Sequence, residues 1–283
     1  MTLMDQAPAG VTQTINRIVE RTVERVVPSS GGGTKTVIIK SEDFIIEAVK
    51  KNSGSIVKVS TFTQNEKGET VNGEPLGVGF IVSTDGIVAL DSDIVSDETK
   101  YTVTLADGKI FKANTLQQDE KNGLALIKVV PANDKETIRL SPVELSDLSG
   151  ENSLKLGQTV IALGGKGGDE VFSGIISGFR KSPSLTEALL GYQTKTGDAL
   201  SGIIDPLLQT GAVINATGSE AEIKTINFIK TNISLGKESS GSPLIDLGGR
   251  VVGMNLVREG VSVAIPSSAI KEAMTTPAPK KTE

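Results

Sequence analysis

From Ser55 onward, short apolar runs alternate with turn-forming residues at spacings typical of an all-β domain. The first series holds Ile56-Val57-Lys58-Val59, Gly79-Phe80-Ile81-Val82, Gly86-Ile87-Val88-Ala89-Leu90 and Tyr101-Thr102-Val103-Thr104-Leu105. In the last of these the alternation is strict, so Tyr101, Val103 and Leu105 share one face. Ala106-Asp107-Gly108 reads as a hairpin turn into Ile110-Phe111, and Leu124 to Val129 follows as another apolar run. A second series comprises Thr159–Gly164, Val171–Ser177, Ile226–Ile229, Val251–Val257 and Val261–Ile265. Two series, each able to close a barrel, predict two six-stranded β-barrels, one over about 55–150 and one over about 151–266.

Helical pattern is confined to the ends. Val11, Ile15, Ile18, Val19, Val23, Val26 and Val27 fit a helical stripe. Their β-branched character fits an extended arm equally well. A short coiled coil or subunit-joining arm, an extended arm and a frayed lead-in all stay open for this stretch. Ser29-Ser30-Gly31-Gly32-Gly33 reads as a flexible linker, closing an N-terminal segment 1–33. Thr36-Val37-Ile38-Ile39 reads as a strand. Ser41 then caps a helix to about Lys51, with acids in its first turn and lysines in its last. Residues 182–223 break the strand rhythm and read as an inserted loop, either functional or a lid with its own small core. The polar, proline-rich tail 275–283 is expected to be disordered.

Composition sharpens this picture. The 283 residues include 31 Gly, no Trp, no Cys and only 3% aromatics, which suits a β-rich chain with many tight turns. A net charge of −5 without a basic stripe argues against a nucleic-acid partner. No apolar run approaches the roughly 20 residues of a membrane-spanning helix. The first residues lack the pattern of a signal peptide, so a cytoplasmic chain and one whose export segment has been removed both stay open. The chain has no histidine, which together with the lack of cysteine leaves only carboxylates as zinc ligands. No metal or other cofactor is expected. Asp91, Asp93, Asp97 and Glu98 could attract a hard cation, but they lack EF-hand spacing and read more simply as a solvated acidic loop.

The chemistry concentrates in Lys237-Glu238-Ser239-Ser240-Gly241-Ser242-Pro243-Leu244 and the strand Gly249–Leu256. This arrangement resembles the nucleophile loop of a trypsin-like serine protease. Gly77-Val78-Gly79-Phe80-Ile81-Val82-Ser83-Thr84-Asp85-Gly86 is similar to the first-barrel signature of that superfamily's HtrA (Deg) branch. Leu156–Gly164 with Ser173–Ser177 looks like the opening of its second barrel, and Ala264-Ile265-Pro266-Ser267 like the strand lining its specificity pocket. The resemblance covers about residues 42–274; a single double-barrel domain over 34–274 is expected, with no peptide-binding domain appended after it. The family likeness further implies an envelope location and a homo-oligomer, a trimer in many members.

Carried over residue by residue, the resemblance puts Ser240 at the nucleophile. Asp93 stands at the position of the catalytic histidine and Gly123 at that of the aspartate. Glu238 and Ser239 replace the Gly-Asn pair of the oxyanion loop. An aspartate with an ordinary pKa near 4 is a poor acceptor for a serine proton, and Gly123 can orient nothing. The expectation is therefore a degenerate member, a pseudoprotease that is not an enzyme and that binds or scaffolds. Its ligand would be a peptide or protein in the former substrate cleft, adding a strand beside Ser262, Val263 and Ala264. Two alternatives stand beside it: a serine hydrolase using Ser240 with a base other than histidine, such as a lysine, and a structural subunit of an oligomer.

Overall fold

The computed structural model describes residues 22–28, 34–68, 70–96, 100–131, 140–149, 153–182, 184–186 and 226–276. The chain divides after Phe44 into two units. In the first, β1 (Thr22–Pro28) pairs antiparallel with β2 (Thr34–Lys40) in register from Thr22↔Lys40 to Pro28↔Thr34. The stretch that fits a helix or an arm is thus extended over 22–28. Its earlier part, 11–21, and the tail from 277 lie outside the described residues, as does most of the 182–223 insertion.

Helix α1 (Ser41–Ser53) begins with Glu42 and Asp43 and ends with Lys50 and Lys51, each charge favourable to the nearer end of the helix dipole. Two closed antiparallel barrels follow. The first orders its strands β3 (Ile56–Gln64), β4 (Thr70–Ile81), β5 (Ile87–Asp91), β8 (Leu124–Val130), β7 (Ile110–Asp119) and β6 (Tyr101–Thr104). The second runs β10 (Glu170–Ser182), β11 (Ile226–Thr231), β14 (Val261–Pro266), β13 (Val251–Arg258), β12 (Pro243–Asp246) and β9 (Thr159–Gly164). Helix α2 (Ser267–Thr275) follows the last strand. Two six-stranded barrels with few helices are the predicted fold class.

The apolar runs lack polar alternation because their strands are buried on both faces. Val57, Leu90, Tyr101, Ala125, Ile127 and Val129 point into the first barrel. Val160, Ala162, Ile229, Leu244 and Ala264 fill the second. Their neighbours, Ile56, Phe80, Leu124, Leu126, Ile161, Leu163, Met254, Leu256 and Val263, meet in a third core between the barrels. Each fully buried Val, Leu, Ile, Phe or Met contributes roughly 1.5–3 kcal/mol, and this shared core packs the two barrels into one compact unit. The connecting segment 140–149 reinforces it. Val143 N–H donates to Ile81 O (2.9 Å) on one side, and Val251 N–H donates to Glu144 O (2.8 Å) on the other.

Candidate active site

The cleft at the barrel seam is assembled from three strand ends. β5 ends at Asp91, whose side chain caps a 3-10 turn, Ser92–Ile94, by accepting from Asp93 N–H (3.0 Å). β13 ends at Arg258, and the hairpin to β14 pairs Arg258 with Val261. Glu259 and Gly260 form its two-residue turn, at φ 50° and 78°, as a type I′ connection requires. The third contribution is the loop before β12, where Lys237–Ser239 makes a second 3-10 turn.

Gly241 lets that loop reach the first barrel. Its φ is +88°, and a Cβ there would lie 2.4 Å from Val78 O. Gly241 N–H donates to Asn255 O (2.8 Å) and Asn255 N–H to Ser242 O (2.8 Å), so the loop runs as an extension of the β13 ladder. Ser239 turns inward, its Oγ accepting from Gly165 N–H (3.0 Å) in the buried seam. Ser240 turns toward the cleft.

The Ser240 hydroxyl is fully engaged. It donates to Asp91 Oδ2 and accepts from Val257 N–H (2.8 Å), with Arg258 Nη1 at 3.4 Å. Asp91 is in turn held by Arg258 in a two-pronged pair, Nη1 to Oδ2 and Nη2 to Oδ1, each 2.6 Å. Arg258 Nε reaches Asp93 Oδ2 at 2.8 Å. The Asp91 side chain is 2% exposed and that of Asp93 56%, so one carboxylate is core and the other rim. Burial pulls the Arg258 guanidinium toward its neutral form, and the flanking Asp91 and Asp93 carboxylates more than offset this, holding its pKa above the ordinary value. The surrounding cleft, about 410 Å³, is lined by Pro75, Leu76, Ile94, Lys237, Glu238 and Val257 together with the charged network.

The predicted positions fare unevenly. Asp93, at the histidine position, pairs with Arg258, while Ser240's carboxylate partner is Asp91, two residues before Asp93. Gly123 adopts φ +77°, and a Cβ there would meet Leu185 Cδ2 at 2.7 Å and Leu256 Cδ1 at 2.8 Å. Leucine side chains thus occupy the space into which a triad aspartate would grow. Glu238 folds its carboxylate over Gly236, where an added Cβ would lie 2.1 Å from Oε1. The oxyanion amide is committed, with Ser240 N–H donating to Lys237 O (3.0 Å).

Lys237 lines the cleft, yet among the described residues the hydrogen-bond partners of Ser240 Oγ are Asp91, Val257 and Arg258. Asp91 and Asp93, two of the four acids able to attract a cation, share Arg258 as their counter-ion, and Asp97 and Glu98 lie outside the described residues. Val263 and Ala264 point into cores, and Ser262 is half-buried, its Oγ donating to Ile233 O (3.3 Å). β14 meets β11 at Ile229↔Ala264, leaving Val261–Val263 outside that ladder. Neither Asp91 as the serine's partner nor Arg258 is evident from the sequence pattern. The signal available was an arginine placed just before a two-residue Glu-Gly turn at the end of a buried strand.

Comparison with known proteins gives this seam its context. Residues 77–254 match the model of the trypsin-like peptidase domain. The chain is 27% identical over 253 residues to serine protease HTR4 of Rattus norvegicus, covering 88% of this chain and 44% of that protein. It is 28% identical over 232 residues to serine protease HTRA4 of Mus musculus, covering 81% and 40%. To a probable periplasmic serine endoprotease DegP-like of Bartonella henselae it is 28% identical over 208 residues, covering 70% and 32%. It spans less than half the length of these curated relatives.

These matches correct the expectation of a non-enzyme: the matched domain is a peptidase domain, and the relatives are named serine proteases. That expectation rested on the missing histidine. Losing the imidazole removes one kind of base, whereas the Ser240 hydroxyl still points at a carboxylate. The chain belongs to the trypsin-like peptidase family, in its HtrA branch.

Proposed function

We propose that this domain is a serine hydrolase in which Ser240 is the nucleophile and the Asp91 carboxylate takes the place of histidine as proton acceptor. The observation that carries this reading is the hydrogen bond from Ser240 Oγ to Asp91 Oδ2 at the wall of an open cleft. As Oγ bonds to the carbonyl carbon of an ester or peptide, its proton passes to Oδ2 and the carbonyl electron pair moves onto oxygen. Collapse of that adduct breaks the bond to the leaving group, which recovers the proton from Asp91. Water then repeats the path and releases the acid.

Val257 N–H, donating to Oγ, fixes the orientation of the hydroxyl toward Asp91. The oxyanion must compete with Lys237 O for the Ser240 amide, and losing one such donor costs on the order of 10²–10³-fold in rate. A carboxylate is also a weaker base than an imidazole, so turnover is slow on both counts, and faster on esters than on amides. An extended peptide would add along Val261–Val263 on the side of β14 away from its partner β13. Following the periplasmic relative's name and the HtrA resemblance, we place the protein outside the cytoplasm, as a homo-oligomer.

The test is hydrolysis of an activated ester and of casein by the purified chain, beside Ser240→Ala and Asp91→Asn. Turnover abolished in the first variant and reduced in the second supports the proposal. Equal rates in all three would refute it.

A further inference from the structure

We infer that Arg258 is a positioning residue for this site: its guanidinium fork holds the Asp91 carboxylate in the one orientation that meets the Ser240 hydroxyl. The inference rests on the hydrolase reading above. Its basis is geometric. In a triad, a carboxylate orients an imidazole through one hydrogen bond; here a guanidinium orients a carboxylate through two, both 2.6 Å. A planar fork on a planar carboxylate fixes distance and rotation together, which a point charge cannot do.

The fork is itself fixed. Nε is engaged by Asp93 Oδ2 (2.8 Å), and Nη1 also donates to Val257 O (3.0 Å), the carbonyl of its own strand. The stem springs from the last residue of β13, one position before the Glu259-Gly260 turn. Asp93 Oδ2 therefore steadies the arginine, Arg258 steadies Asp91, and Asp91 Oδ2 accepts from the nucleophile. The residue at the old histidine position thus acts on the serine at two removes. Without the fork, Asp91 keeps only the single hydrogen bond from Asp93 N–H to Oδ1 (3.0 Å), which does not hold Oδ2 against Oγ as a two-pronged pair does.

The experiment is the rate of covalent labelling of the full chain by a fluorophosphonate, separated into the limiting inactivation rate and the half-saturating probe concentration, with Tm measured alongside. For Arg258→Ala the limiting rate falls on the order of 10²-fold, the loss expected for a misplaced reacting group. The half-saturating concentration stays unchanged, and added methylguanidinium restores labelling. Arg258→Lys keeps the charge without the fork; it stays folded at the assay temperature, by far-UV circular dichroism, and labels about tenfold or more slowly. If the alanine variant fails to fold because a buried carboxylate has lost its partner, the lysine variant alone carries the test. Arg258→Lys labelled at the wild-type rate overturns the positioning role while leaving Ser240 the nucleophile. An unlabelled wild-type chain overturns the hydrolase reading and this inference together.

Discussion

Rebuilding the family's missing acid by Gly123→Asp should unfold the seam before it helps the serine. The glycine sits at φ +77°, where an L-residue costs about 1–2 kcal/mol. The new Cβ would lie 2.7 Å from Leu185 Cδ2 and 2.8 Å from Leu256 Cδ1. Both leucines are nearly buried, and overpacking of this kind costs typically 1–3 kcal/mol. A carboxylic acid placed among them without a partner adds about 1–3 kcal/mol more even in its neutral form. The aspartate variant should therefore lose roughly 3–8 kcal/mol, comparable to the whole stability of many domains. Gly123→Ala carries only the first two penalties and should lose roughly 2–5 kcal/mol. Urea unfolding followed by far-UV circular dichroism measures both, and Leu185→Ala in the Gly123→Ala background should recover part of the loss. An aspartate variant within 1 kcal/mol of wild type would refute the claim that leucine packing fills this position.

Four further substitutions have definite expected outcomes. Asp91→Asn breaks the buried pair with Arg258 and should cost about 3–5 kcal/mol, read by urea titration. Gly241→Ala forces a Cβ against Val78 O at φ +88° and should cost at least about 2 kcal/mol, with the loop's hydrogen exchange accelerated. Glu259→Asn relieves a glutamate held at φ 50° in the β13–β14 turn and should raise stability by roughly 0.5–1 kcal/mol in the same titration. At the surface, the hydrogen bond from Lys51 holds the Glu144 carboxyl below its ordinary value of 4.5, against a small opposing effect of burial. A lowered carboxyl pKa stabilises above the unfolded value and loses that contribution as pH falls through the folded one. Lys51→Met should thus lower the unfolding free energy at pH 7 by less than about 1 kcal/mol for so exposed a pair, and match wild type in acid well below pH 4.5.

The barrels were legible because their strands are short and apolar and the turns between them carry glycine. The feature that periodicity alone misreads, continuous runs such as Leu124-Ala125-Leu126-Ile127, has a simple cause: odd and even residues face different cores. The position of Ser240 was equally plain from its loop. Its partner was not, because aligning to a histidine-bearing pattern selects Asp93 and passes over Asp91. Which carboxylate meets the serine depends on the Ser92–Ile94 turn, which sends Asp93 to the rim. Arg258 stands 167 residues from Asp91, and nothing local to either announces the pair. Leu185 falls in a stretch that reads as an insertion, yet its N–H donates to Lys121 O (2.9 Å) and its side chain closes the seam.

The most direct test of Ser240 as a live nucleophile is the intact mass of the chain after exposure to a fluorophosphonate, with the adduct located by fragmentation of the proteolytic digest. The expected result is one phosphonyl group per chain, on Ser240, formed slowly and absent from Ser240→Ala. A mass unchanged after prolonged exposure, or an adduct on another residue, would contradict it.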